Sequence, residues 1–204
     1  MGNAIVDSIP GAITALKKVE ENYETMKDDT DLPLAFHAAG QRPGLVRQTL
    51  EIVKDELKSV HLAGNDDAMR SLEECSTKVE LLQDMFERIA LEPQTSRRAR
   101  YFAVVRQHGR EAAVEVLMVR IMETTLIVAE DSAVKKVTEA QAKELHNAIA
   151  KLSQVEPSMP NEGGNQFSHY GSGPQLNNTG LGTQYNNTGS GSQYHADAMH
   201  FGSR

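Results

Sequence analysis

Tryptophan is missing from the 204 residues, cysteine occurs once, and aromatic side chains make up 5% of the chain. The lone Cys75 excludes an intramolecular disulfide, and with it the stapled scaffold of a small secreted protein. The N-terminus lacks the basic region, apolar run and small-residue cleavage site of a secretory signal, so a cytoplasmic location is expected. Val6 stands where a myristoylated Gly2 would want Ser or Thr. The sequons at Asn177 and Asn186 are read as unmodified in an intracellular protein. No Gly-Lys pair occurs, which removes a Walker-type phosphate loop, and the glycines make no GxGxxG. The longest weakly charged stretch, Ala4 to Leu16, contains Asp7 and Pro10 and is too short to span a bilayer. A net charge of −7 without a large basic domain argues against nucleic acid as the main partner.

What is present is unevenly spread. From 157 to 204 the charged side chains are Glu162, Asp197 and Arg204 alone, lysine is absent, and nine of the 15 glycines lie from Gly163 onward. Such a segment buries too little apolar surface to offset the ~1–2 kcal/mol per residue of backbone ordering, so by itself it is expected to be disordered. The chain therefore divides into a charge-coated helical domain at 1–156, a linker at 157–169 and a repeat tail at 170–204.

Residues 1–156 read as all-α, an antiparallel bundle of five or six helices. The clearest helix runs from Asp66 to Ala90, where Ala68, Leu72, Cys75, Val79, Leu82, Phe86 and Ile89 form one apolar stripe. Ser8 and Pro10 open an earlier helix with Ile9, Ile13, Leu16, Tyr23 and Met26 on one face, closed by Asp28, Asp29 and Thr30. Asp31 and Pro33 start a segment through Val46, Leu50, Val53 and Leu57 to Val60, with a kink expected at Pro43-Gly44. A basic segment from Ser96 to His108 breaks at Gly109, and Val114, Leu117, Met118, Ile121, Met122 and Leu126 continue the core. Ser132 is expected to begin the last helix, with Val134, Val137, Leu145, Ala148 and Leu152 spaced for burial.

Beyond Pro160 the periodicity changes to nine. Residues 171–179 read GSGPQLNNT, 180–188 GLGTQYNNT and 189–197 GSGSQYHAD, after a degenerate unit EGGNQFSHY at 162–170. Gly164, Gly173, Gly182 and Gly191 share one register, Gln166, Gln175, Gln184 and Gln193 a second, and Phe167, Leu176, Tyr185 and Tyr194 a third. A fixed short period with a turn residue at a fixed place marks a stacked architecture. Because nine is odd, an uninterrupted strand would flip equivalent residues to opposite faces, so the Gly-x-Gly has to reset direction as a turn. Stacking at ~4.7–4.8 Å then puts Gln over Gln, Asn over Asn and Tyr over Tyr in a cross-β, β-solenoid-like array that forms on assembly. A flexible linker would need no such register. A calcium-binding nonapeptide roll would need Asp where this chain has Gln or Asn, so no metal and no cofactor are expected. Ser158 lies outside the register, where a proline is expected to have little effect on assembly.

The run from Tyr170 to Phe201, GSGPQLNNTGLGTQYNNTGSGSQYHADAMHF after its tyrosine, resembles the sigma amyloid-signalling motif of filamentous fungi. The preceding segments SIPGAITALKKVEENYETM, LPLAFHAAGQRPGLVRQTLEIVKDEL, SLEECSTKVELLQDMFERI and KLSQVEPSMP resemble the fungal SesA-type domain, found at the N-terminus of NACHT and related STAND receptors. The resemblance implies a non-enzymatic signalling effector. A NACHT or STAND receptor carrying a matching motif would template the tail into amyloid, and the clustered helical domain would trigger regulated cell death or incompatibility. A non-toxic adaptor or regulator of the same assembly is the alternative. The implied assembly residues are Gln166, Gly173, Gln175, Asn177, Asn178, Gly182, Gln184, Tyr185, Asn186, Asn187, Gly191, Gln193, Tyr194 and Phe201. Pro174 departs from the pattern, since it cannot donate to a ladder.

Other residue groups carry less. Cys75 holds a stripe position and reads as a small core residue rather than a nucleophile. His37, His61, His108 and His146 make no pair at ligand spacing, and His169, His195 and His200 read as polar tail residues. Arg97, Arg98, Arg100, Arg106 and Arg110 form one basic cluster, read as a solvated face pairing with acidic helices, with an anionic membrane surface as the sharper alternative. Ala4 to Val6 with Ile9 to Leu16 read as core, or as a segment that reaches the plasma membrane after activation.

Overall fold

The computed structural model describes residues 8–58, 66–91 and 95–159. The chain divides into two compact units, 1–160 and 161–204, and the described residues all belong to the first. Among them are the helices α1 (Ser8–Glu24), α2 (Leu34–Gly40), α3 (Pro43–Glu56), α4 (Asp66–Ala90), α5 (Arg97–His108), α6 (Val114–Ala129) and α7 (Lys135–Leu152), with a single 3-10 turn at Arg110–Ala112. Six of these have twelve residues or more, and α2 has seven. No strand occurs among the described residues.

Contacts between helix ends fix their directions. Arg47 near the start of α3 meets Glu20 near the end of α1 at 2.6 Å, so these two run antiparallel. Cys75 in the first half of α4 meets Thr125 near the end of α6 at 3.5 Å, and Thr138 at the start of α7 bonds the Ala129 carbonyl at the end of α6. Tyr23 and Phe86, both near C-terminal ends, pack edge to face, so α1 and α4 run parallel. Helices α1, α3, α4, α6 and α7 thus alternate in direction, as expected of an antiparallel bundle.

The core follows from the stripes. Every stripe residue of α4 is at most 3% exposed, and Met85 joins them. The α6 run VEVLMVRIM is apolar on nearly all sides and accordingly occupies the middle of the bundle, against α4, α7, α3 and α2. Each large apolar side chain buried there contributes ~1.5–3 kcal/mol.

Four expectations need correction. Pro43 does not kink a continuous helix: it begins a new one, α3, at the position where a missing N–H costs nothing, and α2 ends separately at Gly40. The last helix begins at Lys135 rather than Ser132, because the Asp131 carboxylate accepts from the Ala133 N–H at 2.9 Å and holds a turn first. Val137 is 43% exposed, and its neighbour Thr138 takes the buried stripe position with its hydroxyl donating to the Ala129 and Val134 carbonyls. Met26 is buried, but in the turn after α1 rather than on it. Val60 lies outside the described residues.

Candidate functional site

One end of the bundle is closed by aromatic rings. Phe36 of α2 stacks on Phe86 of α4 at 5.0 Å between centroids, and meets the edge of Tyr101 of α5 at 5.3 Å. Seven residues of helix are marginal in isolation, so this packing is what holds α2 in place. The approach of α2 to α1 depends on Gly40, where a Cβ would fall 2.5 Å from ring carbons of Tyr23.

The last described residues, Ser158 and Met159, are held at the same end, Ser158 by a buried hydrogen-bond relay. The Val114 N–H donates to the Tyr101 oxygen at 3.2 Å, and the Tyr101 hydroxyl lies 2.5 Å from the Ser158 hydroxyl. Ser158 in turn donates from its N–H to Glu115 Oε1 at 2.8 Å, and its Oγ lies 2.9 and 2.8 Å from the two carboxylate oxygens. With Tyr101 donating to Ser158 and Ser158 to Glu115, every donor in the relay is used once. Glu115 sits in the first turn of α6, where N–H groups without intrahelical partners favour a negative charge. Hydrogen bonds and position together offset the cost of burying a carboxylate that is 7% exposed. Burial, and then the charge of Glu115, hold the Tyr101 hydroxyl protonated well above its ordinary range.

The arginine cluster is largely committed to the fold. Arg97 pairs with Asp29 at 3.2 Å, and Arg100 donates to the Ile89 carbonyl at the end of α4 at 2.7 Å and to the Thr95 carbonyl. A cation on the last carbonyls of a helix satisfies groups that lack an intrahelical partner. Arg98 lies over the Phe102 ring at 5.3 Å. Cys75 is 1% exposed and its thiol is pushed up by burial, as suits a core residue. Ile9 and Leu16 are buried in the core. His37 bonds the Asp29 carbonyl at 2.9 Å and His146 meets Glu130 at 3.3 Å. Among the described residues no helix is long and apolar enough to cross a membrane.

The repeat residues read as the assembly site, from Gln166 to Phe201, all lie outside the described residues. So do the tail histidines and the stretch from Ala4 to Val6. Sequence reasoning missed the relay at the root of the tail. Ser158 fell in the segment taken as linker, yet it is 7% exposed, and a proline there would remove the N–H that Glu115 accepts. The available signal was Glu115 itself, a carboxylate within the apolar run that opens α6, which has to find donors once that run is buried.

No curated protein and no solved structure matches the chain. Two family models do. Residues 164–202 match the Sigma domain on NACHT-NTPases, which takes in most of the degenerate unit and all three full repeats. Residues 9–126 match SesA, so over more than half its length, from α1 into the last turn of α6, this chain belongs to the SesA family, the N-terminal domain on NACHT NTPases and P-loop NTPases.

Proposed function

We propose that this chain is a non-enzymatic signalling effector whose sigma segment is templated into a cross-β stack by a matching motif on a NACHT receptor. The stack gathers SesA bundles into a cluster, and the cluster triggers regulated cell death or incompatibility in a fungal host. The observation that carries this reading is the nine-residue register of Gly and Gln, held through four units with an aromatic residue beside the Gln in three of them, within the segment that matches the sigma model. Identical side chains at equal spacing gain from stacking on their own copies, and a tether has no use for them. The bundle supplies the soluble cargo: its apolar stripes are turned inward, and its charged residues form short ion pairs on the outside such as Lys143–Glu139 and Lys58–Asp55. Templating requires a second copy of the motif, so the partners are other copies of this chain and a receptor that carries the motif.

The test replaces the tail by an inducible oligomeriser fused after residue 160 in a fungal host. Clustering is expected to reduce viability, while the unclustered bundle and the tail alone do not. Healthy cells after verified clustering would refute the effector role and leave an adaptor.

A further inference from the structure

The two family matches leave a gap, from 127 to 163, that contains α7 and the root of the tail. Within it Ser158 and Met159 are buried on the bundle, at 7% exposure each, and the sigma match begins at 164. We propose that the contact of Ser158 with Glu115 is a latch that assembly of the tail has to open, so that stacking of the repeats and burial of the root compete. This rests on the reading of residues 164–202 as a stacking segment.

The conflict is one of dimensions. Four nine-residue units at ~4.7–4.8 Å per rung advance a stack by ~19 Å per chain. A bundle of about 150 residues has a radius of gyration of ~15 Å and a width of ~39 Å. Neighbouring bundles along the stack therefore overlap unless they are displaced outward by tens of ångströms. While Ser158 and Met159 stay in place, the slack before the first unit at 162 is residues 160–161, at most ~7 Å of extended chain. Opening the latch frees the chain back to Glu156, since the Ser153, Gln154 and Val155 amides are bonded to α7 carbonyls and Val155 packs on the core, and raises the reach to ~21 Å. That is about one bundle radius, and three times the slack with the latch closed. Ser158 makes the polar contacts that resist this release, and Tyr101, which bonds it, packs against Phe36. Opening the latch thus uncovers a buried carboxylate and one side of the aromatic end.

Hydrogen exchange on the full chain, soluble and in seeded fibres, tests the latch. In the soluble chain the Ser158 amide is expected to be protected, and in the fibre its exchange should accelerate by about a hundredfold while α4 stays protected. A fibre in which 171–197 and Ser158 are both protected overturns the latch and leaves the tail reading standing. A chain that forms no seeded fibre refutes the tail reading, and the latch with it. In seeding assays Ser158→Ala, which loses the hydroxyl bonds, should raise the opening equilibrium roughly tenfold and shorten the lag, whereas Ser158→Thr keeps the wild-type lag. Val79→Ala, destabilising but remote from the root, separates latch opening from general unfolding. An equal shortening by Val79→Ala, or none by Ser158→Ala, overturns the proposal.

Discussion

Ending the chain at Glu156 instead of Pro160 removes four residues, of which the described three, Pro157 to Met159, lie outside any helix, and should cost the bundle a large part of its stability. The deletion takes away the Ser158 N–H and hydroxyl that hold Glu115 at 2.8–2.9 Å, leaving Tyr101 at 3.4 Å as the remaining hydroxyl partner of that carboxylate. Hydrogen bonds to a charged group contribute ~1.5–3 kcal/mol, and water entering the opened end recovers part of this, so about 2 kcal/mol is lost at Glu115. Met159, 7% exposed, adds about 1.5 kcal/mol of lost apolar burial. The sum, about 3.5 kcal/mol, is a large share of the ~5–15 kcal/mol that holds a domain folded. At ~1–3 kcal/mol per molar of urea, the unfolding midpoint followed by helical circular dichroism should fall by about 1.2–3.5 M between fragments 1–160 and 1–156. Repeating the pair with Glu115→Gln completes a thermodynamic cycle, and there the cost of truncation should shrink toward the Met159 share. Midpoints that agree within the equivalent of about 0.5 kcal/mol would refute the reasoning about the root.

The other perturbations address the same end of the bundle. Gly40→Ala places a methyl 2.5 Å from the Tyr23 ring, and the forced separation of α2 from α1 should lower stability by about 1–3 kcal/mol in urea titration; an unchanged midpoint would mean that the ring gives way freely. Tyr101 gives a signature in pH. Its folded pKa is raised above the ordinary 10.0, so its contribution is fully present below pH 10 and is lost as the unfolded chain releases the proton at higher pH. Stability above pH 10 should therefore fall by about 1.4 kcal/mol per unit more steeply in the wild type than in Tyr101→Phe, read from urea midpoints at successive pH values.

How legible these features were depended on whether local pattern or long-range pairing decided them. The α4 stripe from Ala68 to Ile89 was readable because every residue on it is apolar or small and the period is unbroken. Thr138 was not, because its hydroxyl is satisfied by carbonyls of the preceding turn and so a polar residue fills an apolar position, leaving Val137 outside. Pro43 was recognised as an interruption, but whether a proline kinks a helix or begins one depends on how α2 and α3 pack, which the local sequence does not state. The repeat register was readable without any fold, since it consists of identities at fixed spacing. The root of the tail was not, because Glu115 and Ser158 are 43 residues apart, and a carboxylate in an apolar run says that donors are needed without saying which residue supplies them.

The central claim, that the tail assembles as stacked nine-residue rungs, is tested most directly by seeding. Preformed wild-type tail fibres are added to soluble full chain, and the lag is recorded by dye binding for Gln184→Pro and for Ser203→Pro. Ser158 is unsuitable as the control, because its N–H is engaged by Glu115. Ser203 lies just outside the matched segment. Proline at Gln184 removes a main-chain donor and the Gln ladder from an interior rung of every copy, so the lag should lengthen about tenfold or more. Ser203→Pro should seed like the wild type. If Gln184→Pro is templated as readily as Ser203→Pro, the rung model is wrong, even if the tail aggregates by another route.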